Sequence, residues 1–239
     1  MVKGCAPLTL FVMLSSGFAL AASTPADDCS WTFGGHSRAA AKMRTAADGA
    51  GYEHFNNGKA ITVKRWFKHV CSNTLNAKVP TPDSAIPDTA MAETEATSLT
   101  LKGYLLAGKF ERDEDHDIHF EIGGTPEWNG DHVVVETPPG PEYCAARKAL
   151  WGLIRKDQKA AGVKKDRDQW IMKTPAEVEI TGYVFLDYSP KHRVSCKNKN
   201  SHNWCDRNAG RGLHKDQNTP SRVRGCWELH PVLAAKTAG

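Results

Sequence analysis

Beyond its first two dozen residues, this 239-residue chain has no apolar run near the roughly 18 to 20 residues that a membrane-crossing helix requires. It has no C-x-x-C pair, which argues against a zinc knuckle or ribbon. It has no G-x-S-x-G and no glycine-rich phosphate loop, so neither a nucleophile elbow nor a nucleotide cradle can be assigned. The acidic run Asp113, Glu114, Asp115 lacks the spaced oxygen ligands and central glycine of an EF-hand and reads as a solvated turn. A formal charge of +4 says little about partners.

At the start, Lys3, an apolar run from about Leu8 to Leu20, and Ala19 and Ala21 in A-x-A spacing read as a secretory signal peptide over residues 1–22. The expected location is therefore periplasmic or extracellular. Cys5 precedes the apolar run and is not placed for lipid attachment. Cys29, Cys71, Cys144, Cys196, Cys205 and Cys226 remain, an even number entering an oxidising compartment, so disulfides are expected. Local bracketing favours the pairs Cys29 with Cys71 and Cys196 with Cys205.

Residues 29–78 read as a small helical unit. One helix starts at Ser37, a suitable N-cap, and ends near Gly49. A second places Val63, Trp66, Phe67 and Val70 on one face and Lys64, Arg65 and Lys68 away from it. Residues 79–97 are rich in proline, small residues and acids and read as a linker or surface strap. From Ser98 the pattern becomes strand-like, with Gly103 marking an expected bulge or bend. DIHFEI and HVVVET supply the next strands. A helix over residues 141–158 follows, with Tyr143, Ala146, Leu150, Leu153 and Ile154 as its apolar stripe. The strand AEVEITGYVFLDY, a long basic loop over 189–224 and the strand CWELHPVL complete the chain.

The order strand, strand, strand, helix, strand, strand over 98–236 implies an α+β, mainly β fold. It matches an OB-like five-stranded barrel with one helix between strands 3 and 4, preceded by the small helical unit. An open α+β sandwich with one helix against its sheet is the runner-up.

Period-two alternation puts Asp117, His119 and Glu121 on one face of their strand and Ile118, Phe120 and Ile122 on the other. WELHPV likewise separates Glu228 and His230 from Trp227 and Leu229. In an OB barrel the third strand lies between the second and fifth, so His119, Glu136 and His230 are expected to form a row. Two imidazoles and a carboxylate are a recognised metal set, with a divalent ion such as zinc as cofactor and Asp117 and Glu228 orienting the rings. The plainer alternative is that the same residues hold strand register through hydrogen bonds. His116 faces the opposite way in a regular strand. Asp187, ending an apolar strand, is a further pocket candidate. In the basic loop Trp204 and Arg211 are suited to stacking on a base and following a phosphate backbone.

At VVVETPPGPEYCAARKALWGLI, TGYVFLDY and WELHPVL the chain resembles exported bacterial proteins of uncharacterised function that end in a W-E-[IL]-H-P-V strand. The resemblance spans roughly residues 99–233 and draws attention to Asp117, His119, Glu136 and His230, but brings no substrate. Two functions follow as expectations. One is a secreted, disulfide-stabilised binding or accessory protein whose partner is an anionic polymer, a glycan or extracellular nucleic acid. The other is a metal-dependent, nuclease-like hydrolase holding its ion with His119, Glu136 and His230.

Overall fold

The computed structural model describes residues 29–30, 34, 42–45, 55–70, 95, 97–112, 116–128, 130–164, 167–187, 213 and 223–238, with backbone alone at 223–226. Among these, a 3-10 turn at Phe55–Gly58 leads into β1 (Ile61–Thr62) and α1 (Val63–Val70). Then come β2 (Ser98–Phe110), β3 (Ile118–Gly123), β4 (His132–Thr137), α2 (Cys144–Ala160), β5 (Gln169–Leu186) and β6 (Val223–Thr237). The fold is α+β and mainly sheet, in one mixed six-stranded sheet of order β1-β2-β3-β4-β6-β5. A further β2–β5 pairing links the last strand of that order back to β2. β4 and β6 run parallel, which requires a crossover, and α2 and β5 lie in the chain between them.

Alternation decides what each strand buries. Ile118, Phe120 and Ile122 of β3, Val133 and Val135 of β4, and Trp227 and Leu229 of β6 enter the core with Leu101, Leu105, Val184 and Leu186. Each such side chain contributes about 1.5–3 kcal/mol by leaving water. Trp151 of α2 meets Phe120 edge-on at 6.4 Å between ring centroids. The buried face of α2 is rotated from the expected stripe: Trp151 and Arg147 are buried, whereas Leu153 is half-buried. Arg147, 0 % exposed, is drawn in because it donates to the Thr137 carbonyl at 2.6 Å and the His116 carbonyl at 3.1 Å. Further along α2, buried Asp157 accepts from Trp170 Nε1 and from the Lys173 and Thr174 amides at 2.7, 2.7 and 2.9 Å. It thereby fastens the beginning of β5 to the helix.

On α1, Val63, Trp66, Phe67 and Val70 are buried as the amphipathic pattern requires, with Lys64, Arg65 and Lys68 exposed. The helix expected from Ser37 to Gly49 does not run unbroken: Lys42 is helical, but Arg44 and Thr45 are not. Their carbonyls accept hydrogen bonds from the Tyr143 and Tyr183 hydroxyls, so tertiary contacts override local helix propensity there. Cys29 pairs with Cys144, not with Cys71. The preference for sequence-local bracketing failed because the N-terminal segment is laid back onto the start of α2, 115 residues along the chain. Cys71, Cys196, Cys205 and the Cys226 side chain lie outside the described residues.

The β2 bulge falls between Leu105 and Ala107 rather than at Gly103. Gly103 answers a different need: a Cβ there would stand 2.6 Å from the Gly123 carbonyl oxygen and 2.7 Å from Ile122 Cγ2. The backbone atom cannot retreat without disturbing the β2–β3 pairing. Gly103→Ala is therefore expected to lower unfolding stability by about 1–3 kcal/mol, measured by urea denaturation.

Candidate functional site

The polar faces of β3, β4 and β6 meet on the side of the sheet away from the core. Register places His119 opposite Glu136 and Val135 opposite Leu229, so Glu136 and His230 are each one step on from that pair. The Glu136 carboxylate accepts from both imidazoles, Oε1 from His119 Nδ1 at 3.2 Å and Oε2 from His230 Nδ1 at 2.9 Å. Side-chain exposure is 9 % for His119, 13 % for Glu136 and 0 % for His230.

Burial alone would raise the Glu136 pKa, but the two imidazole hydrogen bonds and the charges of His230 and Lys42 more than offset it, so the carboxyl lies well below its ordinary range. His230 shifts down as well: burial is the main cause, with Lys42 and Arg44 adding to it and the hydrogen bond and charge of Glu136 opposing. With Glu136 ionised, His230 Nδ1 carries the proton that joins the pair.

Residues 42–45 cover this row. Lys42 Nζ lies 3.9 Å from Asp117 Oδ2, and His230 Nε2 lies 3.8 Å from the same oxygen. The Phe185 ring packs 5.3 Å from the His230 ring, with the Lys42 ammonium 6.0 Å from its centroid. Arg44 stacks over Tyr183 at 4.6 Å and donates to the carbonyls of Glu95, Val184 and His230. Glu95 in turn accepts the Leu186 amide at 3.1 Å.

A second histidine–carboxylate pair lies on the same face. His132 Nδ1 meets Glu121 Oε2 at 3.0 Å, with both side chains 0 % exposed. The amide of Leu213, from the long basic loop, donates to the other Glu121 oxygen, and Gln169 Nε2 donates to the Leu213 carbonyl at 3.1 Å. His132 was hidden in the sequence by the valines that follow it. Its signal was the alternation that puts it on the same face of β4 as Glu136.

The structure thus brings together Asp117, His119, Glu136 and His230. Glu228 is buried on the same strand as His230 but stands in register with Val134. Asp187 lies half-buried just past the end of β5. Trp204 and Arg211 lie outside the described residues. Among the described residues, the group whose donor atoms all fall within 4.8 Å of one another is Asp117, Glu136 and His230, without His119. The reason is geometric: the two rings take opposite oxygens of Glu136, so the carboxylate separates them. Such an arrangement can hold a proton or a cation; among the described residues no hydroxyl or thiol nucleophile joins it.

Both depressed pKa values give stability the same sign. The unfolded chain binds more protons than the folded one, so stability rises with pH. The His230 contribution is complete above about 6.5 and is lost as pH falls below it; that of Glu136 is complete above about 4.5 and is lost on further acidification. Urea denaturation at a series of pH values should show stability falling from neutrality downward. In His230→Gln the slope between neutrality and the carboxylate range should become shallower, while the acid limb persists. His69, also shifted down by burial, supplies part of the remaining slope.

The chain matches no protein-family model, no curated protein and no solved structure, so the site is read from its own geometry.

Proposed function

We propose that the protein is an exported, disulfide-stabilised binding protein whose strands form an OB-like barrel and whose ligand is an anionic polymer, a nucleic acid or an acidic glycan. Support for the barrel comes from the order β2-β3-β4-β6-β5 with its return pairing to β2, and from a helix between the third and fourth of these strands. In such barrels the loops after the first and fourth strands are common ligand contacts. The chain between the corresponding strands here is residues 111–117 and the basic stretch 187–222.

The observation that carries the ligand class is a cleft of about 790 Å³ lined by Arg112, Lys164, Arg167 and Asp168 with Ala161, Gly162 and Val163. Asp168 takes both of its contacts from Arg112, at 2.7 and 2.9 Å. Lys164 and Arg167 therefore set the sign of the cleft, and the Arg167 guanidinium lies 5.8 Å from the Trp170 ring centroid. Two cations left uncompensated in one cleft suit a polyanion.

The alternative, a metal-dependent hydrolase using His119, Glu136 and His230, draws on the Asp117, Glu136 and His230 cluster. Catalysis there would need an open coordination position and a substrate path. Asp117 and His230 have side-chain exposures of 3 % and 0 %, which favours the binding reading.

Fluorescence anisotropy with a labelled single-stranded oligonucleotide and a labelled sulfated glycan tests the proposal. Binding of at least one should weaken by an order of magnitude or more between roughly 50 and 200 mM salt. The double variant Lys164→Ala, Arg167→Ala should weaken it further without changing the melting temperature by more than a few degrees. Salt-independent binding, or none in low salt, would reject the polyanion.

A further inference from the structure

We propose that the acidic and aromatic face beneath residues 42–45 is a recognition site for a short basic segment whose two cations stand two residues apart. The chain's own Lys42 and Arg44 occupy it in cis, and a Lys-x-Arg segment of another protein is the ligand that exchanges with them. The observation that carries this is an inverted burial. Lys42 and Arg44 are 6 % and 9 % exposed, whereas Met43, the apolar residue between them, is only half-buried. Burying an ammonium or a guanidinium costs free energy that burying a thioether does not, so this face is one that selects cations.

The lining explains the selection. Arg44 stacks on the Tyr183 ring at 4.6 Å and donates to the carbonyls of Glu95, Val184 and His230. Lys42 Nζ lies 3.9 Å from Asp117 Oδ2 and 6.0 Å from the centre of the Phe185 ring. The backbone of the segment is read as well. Tyr143 Oη donates to the Arg44 carbonyl at 2.9 Å, and Tyr183 Oη to the Thr45 carbonyl at 2.8 Å. An aromatic face with carbonyl oxygens around it suits a guanidinium, and a carboxylate suits an ammonium. None of these groups requires the cations to belong to the same chain.

Exchange follows from how the segment is held. Residues 42–45 belong to no strand of the sheet, so no ladder of backbone hydrogen bonds secures them. The attraction between buried charges is largely offset by their desolvation, so such contacts discriminate between partners more than they stabilise. The Cys29–Cys144 bond, thirteen residues before Lys42, keeps a displaced segment close by, where it competes with an incoming one.

The test is fluorescence anisotropy of a labelled peptide with the sequence of residues 40–47, titrated with the mature, oxidised chain. Wild type is compared with the vacated variant Lys42→Ala, Arg44→Ala. The variant should bind the peptide about tenfold more tightly than wild type or better, because its own segment no longer competes. A peptide with alanine in place of both cations should bind the variant at least about tenfold more weakly. Three results would overturn the proposal: no binding of the peptide by the variant at millimolar concentration, equal affinity of variant and wild type, or equal affinity of the variant for the two peptides. Where the double variant does not fold by itself, Arg44→Ala, which keeps Lys42 beside Asp117, takes its place with N-ethylguanidinium as the probe. That cation should raise the melting temperature of Arg44→Ala and leave that of wild type unchanged; an equal effect on both, or none on either, rejects the site. The site is separate from the basic cleft, and failure of one leaves the other standing.

Discussion

A carboxylate that remains charged while nearly buried must be supplied with donors, and Glu136 obtains both of its donors from other strands. His119 comes from β3 and His230 from β6, one for each oxygen. A one-residue slip of either strand would turn the imidazole to the opposite face and leave a buried charge without its partner. The hydrophobic pattern sets which face is inside, and Glu136 fixes which residue lies beside which. The neighbouring Glu121–His132 pair repeats the device one step along the same two strands.

What closes over this face comes from far away in the chain. Lys42 and Arg44 enter with their charged heads, one toward Asp117 and one toward three carbonyls, and both lie near aromatic rings of β5. Charges can be buried here because the face is rich in acids and in backbone acceptors. The polar row is thus an interface within the molecule, between the sheet and its own N-terminal segment.

Five of the six strands were legible because alternation and turn residues are local signals, whereas β1, two residues long and running straight into α1, was not. The meeting of His119, Glu136 and His230 was legible because strand order converts sequence positions into neighbours. Other features rest on tertiary contacts that leave no periodic trace. Arg44 and Thr45 sit in an alanine-rich stretch that reads as helix, yet tyrosine hydroxyls of distant elements hold their carbonyls. Gly103 advertised a backbone irregularity, but the cause is a neighbouring strand's carbonyl. Cys29 could have paired with any other cysteine, and proximity in sequence was the wrong guide. Which oxygen of Glu136 each ring faces is a distinction of a few ångström that no pattern carries.

The Cys29–Cys144 bond and the hydrogen bond from the Tyr143 hydroxyl to the Arg44 carbonyl fasten two ends of one stretch of chain to adjacent residues. Lys42 follows Cys29 by thirteen residues. Whatever path they take, that length of chain reaches at most about 50 Å from Cys144. An ammonium confined to such a sphere has an effective concentration of roughly 3 mM or higher. While the disulfide holds, local opening of this segment leaves the Lys42 ammonium at that concentration, ready to return to Asp117.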